Sequence, residues 1–152
     1  MSLCLQAFRY FIAFCFILLS MELKAQDLKK HLWKNRIVII ITNEAESSLL
    51  QEQLDTFYNN KNAMIERKLV AYLIIQDDFK VLNFKNRKPL ETGKVSDIFN
   101  IRYLEKDQRF KVILIGLDGT VKLEHDNILN IDKLFKKIDA MPMRRHELKR
   151  KG

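Results

Sequence analysis

The sequence predicts an α/β domain with a mixed, four-stranded sheet and helices on both faces. Two apolar segments, Arg36–Ile41 and Leu69–Ile75, flank a stretch with helical spacing of its apolar residues, which predicts a parallel βαβ unit. A third apolar segment ends at Asp118 and Gly119, a pair typical of hairpin turns. Because 47% of the chain is hydrophobic and 30% is charged, with only 4 Gly and 2 Pro, we expect one compact domain.

The first strand is expected to be buried on both faces, as parallel sheets require, because Ile37–Ile41 is an unbroken aliphatic run. The following helix is expected to begin near Asn43, since Asn is a good N-cap and Glu46, three residues later, approximates a capping box. The sequence also predicts one shared core, formed by Leu50, Leu54, Phe57, Ile113, Ile115, Leu134 and Ile138.

The rest of the chain predicts a short helix, two strands and a last helix. Gln76–Gly93 is polar and predicts no regular structure, and Val95–Tyr103 predicts a short helix. Two antiparallel strands are expected around Leu117–Thr120, and a last helix is expected to begin after Asn130 and to end at Pro142. The resulting order, βαβαββα, is the minimal thioredoxin-like arrangement.

The N-terminus predicts export. Arg9 precedes an apolar run, Tyr10–Met21, that is shorter than the roughly 20 residues that span a bilayer. Ala25 offers a small residue for cleavage, so we interpret the start of the chain as a signal peptide, with a retained signal anchor as the alternative. The mature protein is then periplasmic or secreted and has no transmembrane segment. The predicted parts are the signal peptide 1–25, the thioredoxin-like domain 27–148 and a basic tail 149–152.

Both cysteines, Cys4 and Cys15, lie in the segment predicted to be removed. The mature chain would therefore form no disulfide and offer no thiolate as nucleophile or metal ligand. Thiol oxidoreductase and peroxidase activities are not expected of such a chain.

The turn after the first strand, Thr42–Ser48, is where thioredoxin-like enzymes hold a reactive cysteine, because the helix N-terminus lowers the thiol pKa. Here it holds two carboxylates and no sulfur, and Lys106–Phe110, before the third strand, has none of the cis-proline that such enzymes usually carry. We interpret Ser47 and Ser48 as capping or surface residues rather than nucleophiles. A serine nucleophile needs a positioned base, and each histidine is predicted to be exposed: His31, His125 and His146.

No metal or cofactor is predicted. Asp77 and Asp78 form the best candidate pair for a divalent cation, but no further oxygen ligands follow at regular spacing. The pair is therefore interpreted as surface charge.

The formal net charge is +8, and five basic residues face one acidic residue between Arg144 and Gly152. Such a run attracts acidic polymers or anionic membrane surfaces, and the alternative is a solvated, frayed terminus. No aromatic residues alternate with these charges, and export separates the protein from nucleic acid, so nucleic acid is not an expected partner. The sequence identifies no other partner.

Three stretches resemble an uncharacterised family of thioredoxin-like domains: ERKLVAYLI (Glu66–Ile74), FKVILIGLDGTVKL (Phe110–Leu123) and IDAMPMRRHEL (Ile138–Leu148). The family occurs as short exported bacterial proteins and as the C-terminal domain of sushi-repeat-containing and coiled-coil-domain-containing extracellular matrix proteins. The resemblance implies a thioredoxin-like fold and an extracytoplasmic location. It supplies no established catalytic residues.

The same stretches raise a question about Arg67, Arg144 and Arg145. If the end of the last helix returns beside the second strand, Glu66 can pair with the oppositely charged later arginines and lock the C-terminus to the domain. The functional alternative is an anion or partner site built from Arg67, Arg144 and Arg145.

The sequence therefore predicts an exported, redox-inactive thioredoxin-like module with a binding or structural role and an unidentified ligand. An enzyme of unknown class with a non-thiol mechanism is the alternative. The binding role is favoured because no nucleophile, base and orienting group can be assembled from residues expected to lie close together.

Overall fold

The computed structural model describes residues 28–95 and 109–150. A six-stranded sheet with the order β4-β3-β2-β1-β5-β6 forms its centre. The chain divides into the units Met1–Lys30 and His31–Gly152, and all strands and α-helices of the described residues belong to the second. The strands are β1 (Arg36–Thr42), β2 (Leu69–Ile75), β3 (Asp78–Val81), β4 (Glu91–Lys94), β5 (Phe110–Ile115) and β6 (Val121–His125).

The α-helices of the described residues form two consecutive pairs along the chain. The first pair connects β1 to β2 and the second follows β6. Within the described ranges, no helix combines the length and the apolar character needed to cross a membrane. The helices are α1 (Ser48–Asn59), α2 (Lys61–Glu66), α3 (Ile131–Asp139) and α4 (Pro142–Lys149).

The predicted βαβ unit is confirmed. β1 and β2 are parallel neighbours in one sheet, in a register that pairs Arg36 with Leu69 and Thr42 with Ile75. β5 lies antiparallel on the other side of β1. The predicted hairpin between β5 and β6 is also confirmed, and Gly119 there has φ +75°, the left-handed conformation that glycine adopts without strain.

The main core lies on one face of the sheet. Alternate residues of β1, Val38 and Ile40, pack there with residues of α1, α2 and α3. The prediction that Ile113 and Ile115 share this core is wrong, because side chains alternate between the faces of a strand and these two pair with Ile39 and Ile37 on the opposite face. The other predicted core residues belong to it as buried or partly buried members: Leu50, Leu54, Phe57, Leu134 and Ile138.

The sheet has two more strands than the four predicted. The additional strands β3 and β4 lie within Gln76–Gly93, which predicted no regular structure. They form the edge of the sheet beyond β2, where only alternate residues, such as Phe79 and Val81, are buried. Short, polar edge strands give a weak periodic signal, which explains the miss. The predicted helix at Val95–Tyr103 lies outside the described residues, apart from Val95.

The first helix begins later than Asn43. Its N-cap is Ser47, and the turn before it is held by Thr42, whose Oγ1 accepts from the N–H of Glu44 at 3.1 Å. A single buried polar residue of α1, Gln53, fixes this helix to the loop before α3. Its side-chain amide accepts from the N–H of Leu129 at 2.6 Å and donates to the carbonyl of the same residue at 3.2 Å.

Pro142 does not end the last helix as predicted. α3 ends at Asp139, and Pro142 is the first residue of a further helix, α4, a position where its missing N–H costs nothing. Lys149, the first residue of the predicted basic tail, is the last residue of α4. The expectation of a frayed terminus from Arg144 onward is wrong, since Arg144 is only 2% exposed.

Candidate functional site

The turn at the carboxyl end of β1 is closed by main-chain and hydroxyl contacts. Thr42 Oγ1 donates to the carbonyl of Arg109 at 3.0 Å, and the N–H of Asn43 donates to the same carbonyl at 3.4 Å. Glu44 forms an exposed ion pair with Arg109, with 3.4 Å between Oε1 and Nη1. The turn therefore presents carboxylates and hydroxyl groups at the position where this fold holds a thiol in its enzymes.

The serines beside this turn lack a histidine base within the described part of the chain. Ser47 is partly buried and Ser48 is exposed, and among the described residues no histidine hydrogen-bonds to either of them. His31 is only partly exposed, contrary to expectation, and its Nε2 lies 2.8 Å from the Tyr72 hydroxyl. His125 on β6 is likewise only partly exposed, whereas His146 on α4 is exposed as predicted.

A cavity of about 640 Å³ lies against the turn and the edge strands. Its lining includes Ala45, Phe79 and Gly93, and none of the lining residues is Ser, His or Cys. Within residues 28–95 and 109–150, no group of three or more His, Cys, Asp or Glu side chains has the arrangement to hold a metal ion. This end of the sheet offers no assembled catalytic group in the described part of the chain.

The opposite end of the sheet carries a cluster of charged residues, which we name the arginine cluster. Arg36 is the first residue of β1. Since a strand rises about 3.3 Å per residue, Arg36 lies about 20 Å from the Thr42–Ser48 turn at the other end of this strand. The other arginines come from the turn before β2 and from α4. The cluster consists of Arg36, Arg67 and Arg144 with the carboxylates Glu66, Asp139 and Glu147.

Local sequence places the C-terminal members of the cluster. Asn130 caps α3 by accepting from two main-chain N–H groups, and α3 then ends at Asp139. Pro142 starts α4 immediately afterwards, so Arg144 lies in its first turn, three residues before Glu147. The two helices thereby bring one cation and two anions onto the amino ends of β1 and β2.

Arg144 is the centre of the cluster. It pairs with Glu66, with Asp139 at 3.1 Å and with Glu147 at 3.4 Å. Burial is the largest influence on its pKa and lowers it, but the hydrogen bonds to the carboxylates outweigh burial, so the pKa of Arg144 is raised. The predicted pairing of Glu66 with the end of the chain is confirmed for Arg144.

Arg67 and Arg145 occupy different surroundings. The Nη2 of Arg67 lies 2.6 Å from Oδ2 of Asp139, and its guanidinium stacks 4.2 Å from the centre of the Phe135 ring. Arg67 and Arg144 therefore share Asp139. Arg145 is exposed on α4, and no described contact joins it to the cluster.

Arg36 is the residue of this region that the sequence interpretation missed. It is fully buried, and its Nη1 donates to the Arg67 carbonyl at 3.0 Å and to Glu147 at 3.2 Å. Its Nε and Nη2 have no hydrogen-bond partner among the described residues. An arginine at the start of an otherwise aliphatic buried strand was the available signal, because arginine is almost never fully buried unless it is paired.

Arg36 also lines a groove of about 520 Å³, which we name the Arg36 groove. Its walls come from the β5–β6 hairpin, the α3–α4 junction and the segment before β1. At the hairpin, the hydrogen bond from Lys122 Nζ, at 2.7 Å, is the largest influence on Asp118 and lowers the pKa of that carboxyl. The apolar lining residues are Trp33, Leu117, Ala140, Met141, Pro142 and Met143.

Two solved structures similar to this chain are peroxiredoxins. The reduced 2-Cys peroxiredoxin of Plasmodium vivax matches with a TM-score of 0.54 and 17% identity, over 80% of this chain and 72% of that one. The mitochondrial 2-Cys peroxiredoxin of Plasmodium falciparum matches with a TM-score of 0.50 and 14% identity, over 74% and 79%. At these identities the likeness shows the fold alone. No curated protein sequence matches the chain significantly.

The sheet order, the parallel β1–β2 pair and these similarities define a thioredoxin-like α/β domain, as the sequence predicted. Within that class, a family model described as a domain of unknown function, DUF4174, matches residues 27–147. The chain belongs to this DUF4174 family, which confirms the resemblance drawn from its sequence stretches.

Proposed function

We propose that the protein is a redox-inactive, thioredoxin-like binding module that acts outside the cytoplasm. The observation that carries the proposal is the composition of the Thr42–Ser48 turn, which has no thiol at the position where the fold uses one. Both cysteines of the chain, Cys4 and Cys15, precede the family-matched residues 27–147. A peroxidatic or dithiol mechanism needs a thiolate at that turn.

The histidine positions support binding rather than a non-thiol enzyme. A serine nucleophile needs a base within hydrogen-bond reach, and His31 is instead engaged with Tyr72. The charged groups at the other end of the sheet are largely paired with one another, as structural ion pairs are.

The test is a pair of assays on the full-length protein, peroxide reduction and insulin disulfide reduction, with a thioredoxin as the positive control. We expect both rates to equal the rate without protein. The variant Cys4→Ser/Cys15→Ser is the matched control, because any thiol-dependent rate must disappear in it. Turnover lost in that variant would show a redox function. Hydrolysis of any substrate in an unbiased screen, abolished by Ser47→Ala or Ser48→Ala, would show an enzyme.

Export is supported by the apolar run Tyr10–Met21 behind Arg9 and by the small residue Ala25. Intact-mass measurement of the protein recovered from its natural host tests it. The expected mass is that of a chain beginning near residue 26. A mass that includes residues 1–25 would favour the anchor and would return Cys4 and Cys15 to the working protein.

A further inference from the structure

Arg36 holds half of a binding fork that is buried from solvent and has no acceptor among the described residues. Its Nη1 is used by Glu147 and by a main-chain carbonyl, whereas Nε and Nη2, which form the adjoining edge of the guanidinium, have no partner among the described residues. A buried donor without an acceptor costs about 1–3 kcal/mol, more when it is charged. The Nε–Nη2 edge has the spacing that grips the two oxygens of a carboxylate. An anion that reaches this edge would therefore gain two charge-assisted hydrogen bonds.

The N-terminus of α4 lies at the same groove. Met141, Pro142 and Met143, its N-cap and first two residues, all line the groove, and the N-cap makes no side-chain hydrogen bond. The first main-chain N–H groups of an α-helix have no acceptor within the helix, and the helix dipole there favours negative charge. This helix end and the buried arginine thus favour the same kind of group in the same groove.

Trp33 forms an exposed apolar wall. It is 63% exposed, and it is held at φ +60°, a conformation that bulky residues rarely adopt, with its N–H donating to the Leu117 carbonyl at 2.8 Å. Backbone strain of this kind is found preferentially at functional sites. The aromatic ring adds a flat apolar surface to a groove that already contains two methionines and a proline.

We propose that the Arg36 groove binds a small organic monocarboxylate, with the carboxylate on the Nε–Nη2 edge of Arg36 and the apolar body against Trp33 and the α3–α4 junction. The inference deepens the proposed binding function and depends on it. The volume, about 520 Å³, lies within the range of small-molecule sites.

A single negative charge fits the groove better than several. Of the lining cations, Lys122 is engaged by Asp118, and Lys137 is exposed on α3. Arg36 is already partly balanced by Glu147. One carboxylate satisfies the free edge, whereas a multiply charged phosphate would meet too few free cations and a mostly apolar wall.

The test uses Trp33 as the reporter, since it is the only tryptophan in the chain. Phenylbutyrate is titrated into the full-length protein while tryptophan fluorescence is followed. We expect saturable binding with a Kd of about 0.1–1 mM, typical of a ligand this small. Phenylbutanol, which lacks the charge, and butyrate, which lacks the ring, should each bind at least ten-fold more weakly. Inorganic phosphate should not compete.

Two lysines on α3 give a matched pair of variants. Lys137 lines the groove, and its neighbour Lys136 is also exposed but does not line it. Lys137→Glu should weaken phenylbutyrate binding about five-fold, as expected for a charge reversal in the wall of a hydrated groove, and Lys136→Glu should leave the Kd unchanged. Arg36→Lys keeps the charge but loses the fork, so it should weaken binding at least ten-fold where the variant folds.

Three results would overturn the proposal. They are no saturable signal up to about 10 mM, equal binding of phenylbutanol and phenylbutyrate, or equal weakening by the two lysine variants. If Arg36→Lys does not fold, the comparison of the ligands and the comparison of the two lysine variants still test the proposed site. If phenylbutyrate does not bind, the carboxylate site is wrong but the protein can still be redox-inactive. If the protein reduces peroxide, the proposed redox-inactive function is wrong, whatever the titration shows.

Discussion

Arg36 Nη1 lies 3.2 Å from Oε2 of Glu147, although the two residues are separated by 111 positions in the chain. The arginine opens the central strand of the sheet and the glutamate lies in the last helix. The arginine is fully buried and the glutamate side chain is 17% exposed. The pair therefore ties the end of the domain to its first strand.

Glu147→Gln should be strongly destabilising. The substitution leaves the buried charge of Arg36 without its carboxylate and also weakens the contact to Arg144. Removing one partner of a buried pair costs about 3–5 kcal/mol of unfolding free energy. Urea denaturation monitored by circular dichroism measures the loss.

An exposed ion pair provides the control for Glu147→Gln. Asp55 and Arg87 are 58% and 62% exposed, with 3.2 Å between their charged atoms. Asp55→Asn should cost less than about 1 kcal/mol because solvent screens the pair. Equal losses for the two variants would show that the Arg36–Glu147 pair contributes no more than a surface contact.

Protonation of Glu147 should contribute to the decrease of the unfolding free energy in acid. Burial is the largest influence on its pKa and raises it, but the charge of Arg36 and hydrogen bonds from Arg36 and Lys68 outweigh burial and hold the pKa below its ordinary value of 4.5. The folded state therefore binds this proton less readily than the unfolded state. The contribution is fully present above about pH 4.5 and is lost as the pH falls through the folded pKa. Between about pH 5 and pH 3, Glu147→Gln should lose less unfolding free energy than the wild type; parallel curves would contradict this.

A chain ending at Met143 should lose thermal stability. It lacks Arg144, which is 2% exposed and joins Glu66 to Asp139, and it lacks Glu147 as well. The expected decrease in melting temperature is on the order of 10 °C. A chain ending at Lys149 keeps all of α4 and is the matched control, with an unchanged melting temperature. A similar melting temperature for both chains would show that α4 does not stabilise the domain.

Any binding of acidic polymers should follow the exposed cations of the C-terminus rather than the arginine cluster. Arg145, Lys149 and Arg150 are exposed, whereas Arg144 is buried. Arg145→Glu/Lys149→Glu should reduce retention on heparin, and the retention of the wild type should decrease steeply with salt, since the Debye length is about 8 Å at physiological ionic strength. Lys85→Glu/Lys88→Glu, which changes the charge equally at another exposed site, is the control. Equal retention of both variants would exclude the C-terminus as the binding region.

Two glutamines of α1 test the link between α1 and the loop before α3. Gln53 is fully buried and pairs with both main-chain groups of Leu129. Gln53→Ala leaves these groups unsatisfied and should cost about 2–3 kcal/mol. Gln51, exposed on the same helix, is the control, and Gln51→Ala should change the unfolding free energy by less than about 0.5 kcal/mol. A Gln53→Ala variant as stable as Gln51→Ala would show that the loop is held by other contacts.

The strongly patterned elements could be predicted from the sequence. Ile37–Ile41 and Leu69–Ile75 are long aliphatic runs, and Asp118 with Gly119 marks a turn that few other pairs would form, so the local signal agreed with the final fold. The face that each apolar side chain takes was predicted less well. In β5 the one polar residue, Lys111, lies two residues before Ile113 and four before Ile115 and so shares their face, a signal that the placement of these isoleucines in the main core did not use.

The arginine cluster could be predicted only in part. Glu66, Arg67 and Arg144 were visible as charges in the sequence stretches, and the pairing of Glu66 with Arg144 followed from a return of the chain end to β2. Arg36 could not be identified as their neighbour, because its partner lies in a helix that Pro142 was expected to prevent. Proline both ends helices and begins them, and only the tertiary context decided between the two.

The distance along the chain between Arg36 and Glu147 also bears on the order in which the protein is made and folds. β1, the strand at the centre of the sheet, is synthesised early, but its neighbour β5 and its ion-pair partner come from the last third of the chain. Such distant contacts slow folding, because the entropy of closing long loops is lost before the contacts form. A ribosome-bound chain therefore leaves one edge of its apolar central strand unpaired until β5 has emerged. This delay favours an extended polypeptide, the form in which a chain can be threaded through a narrow channel.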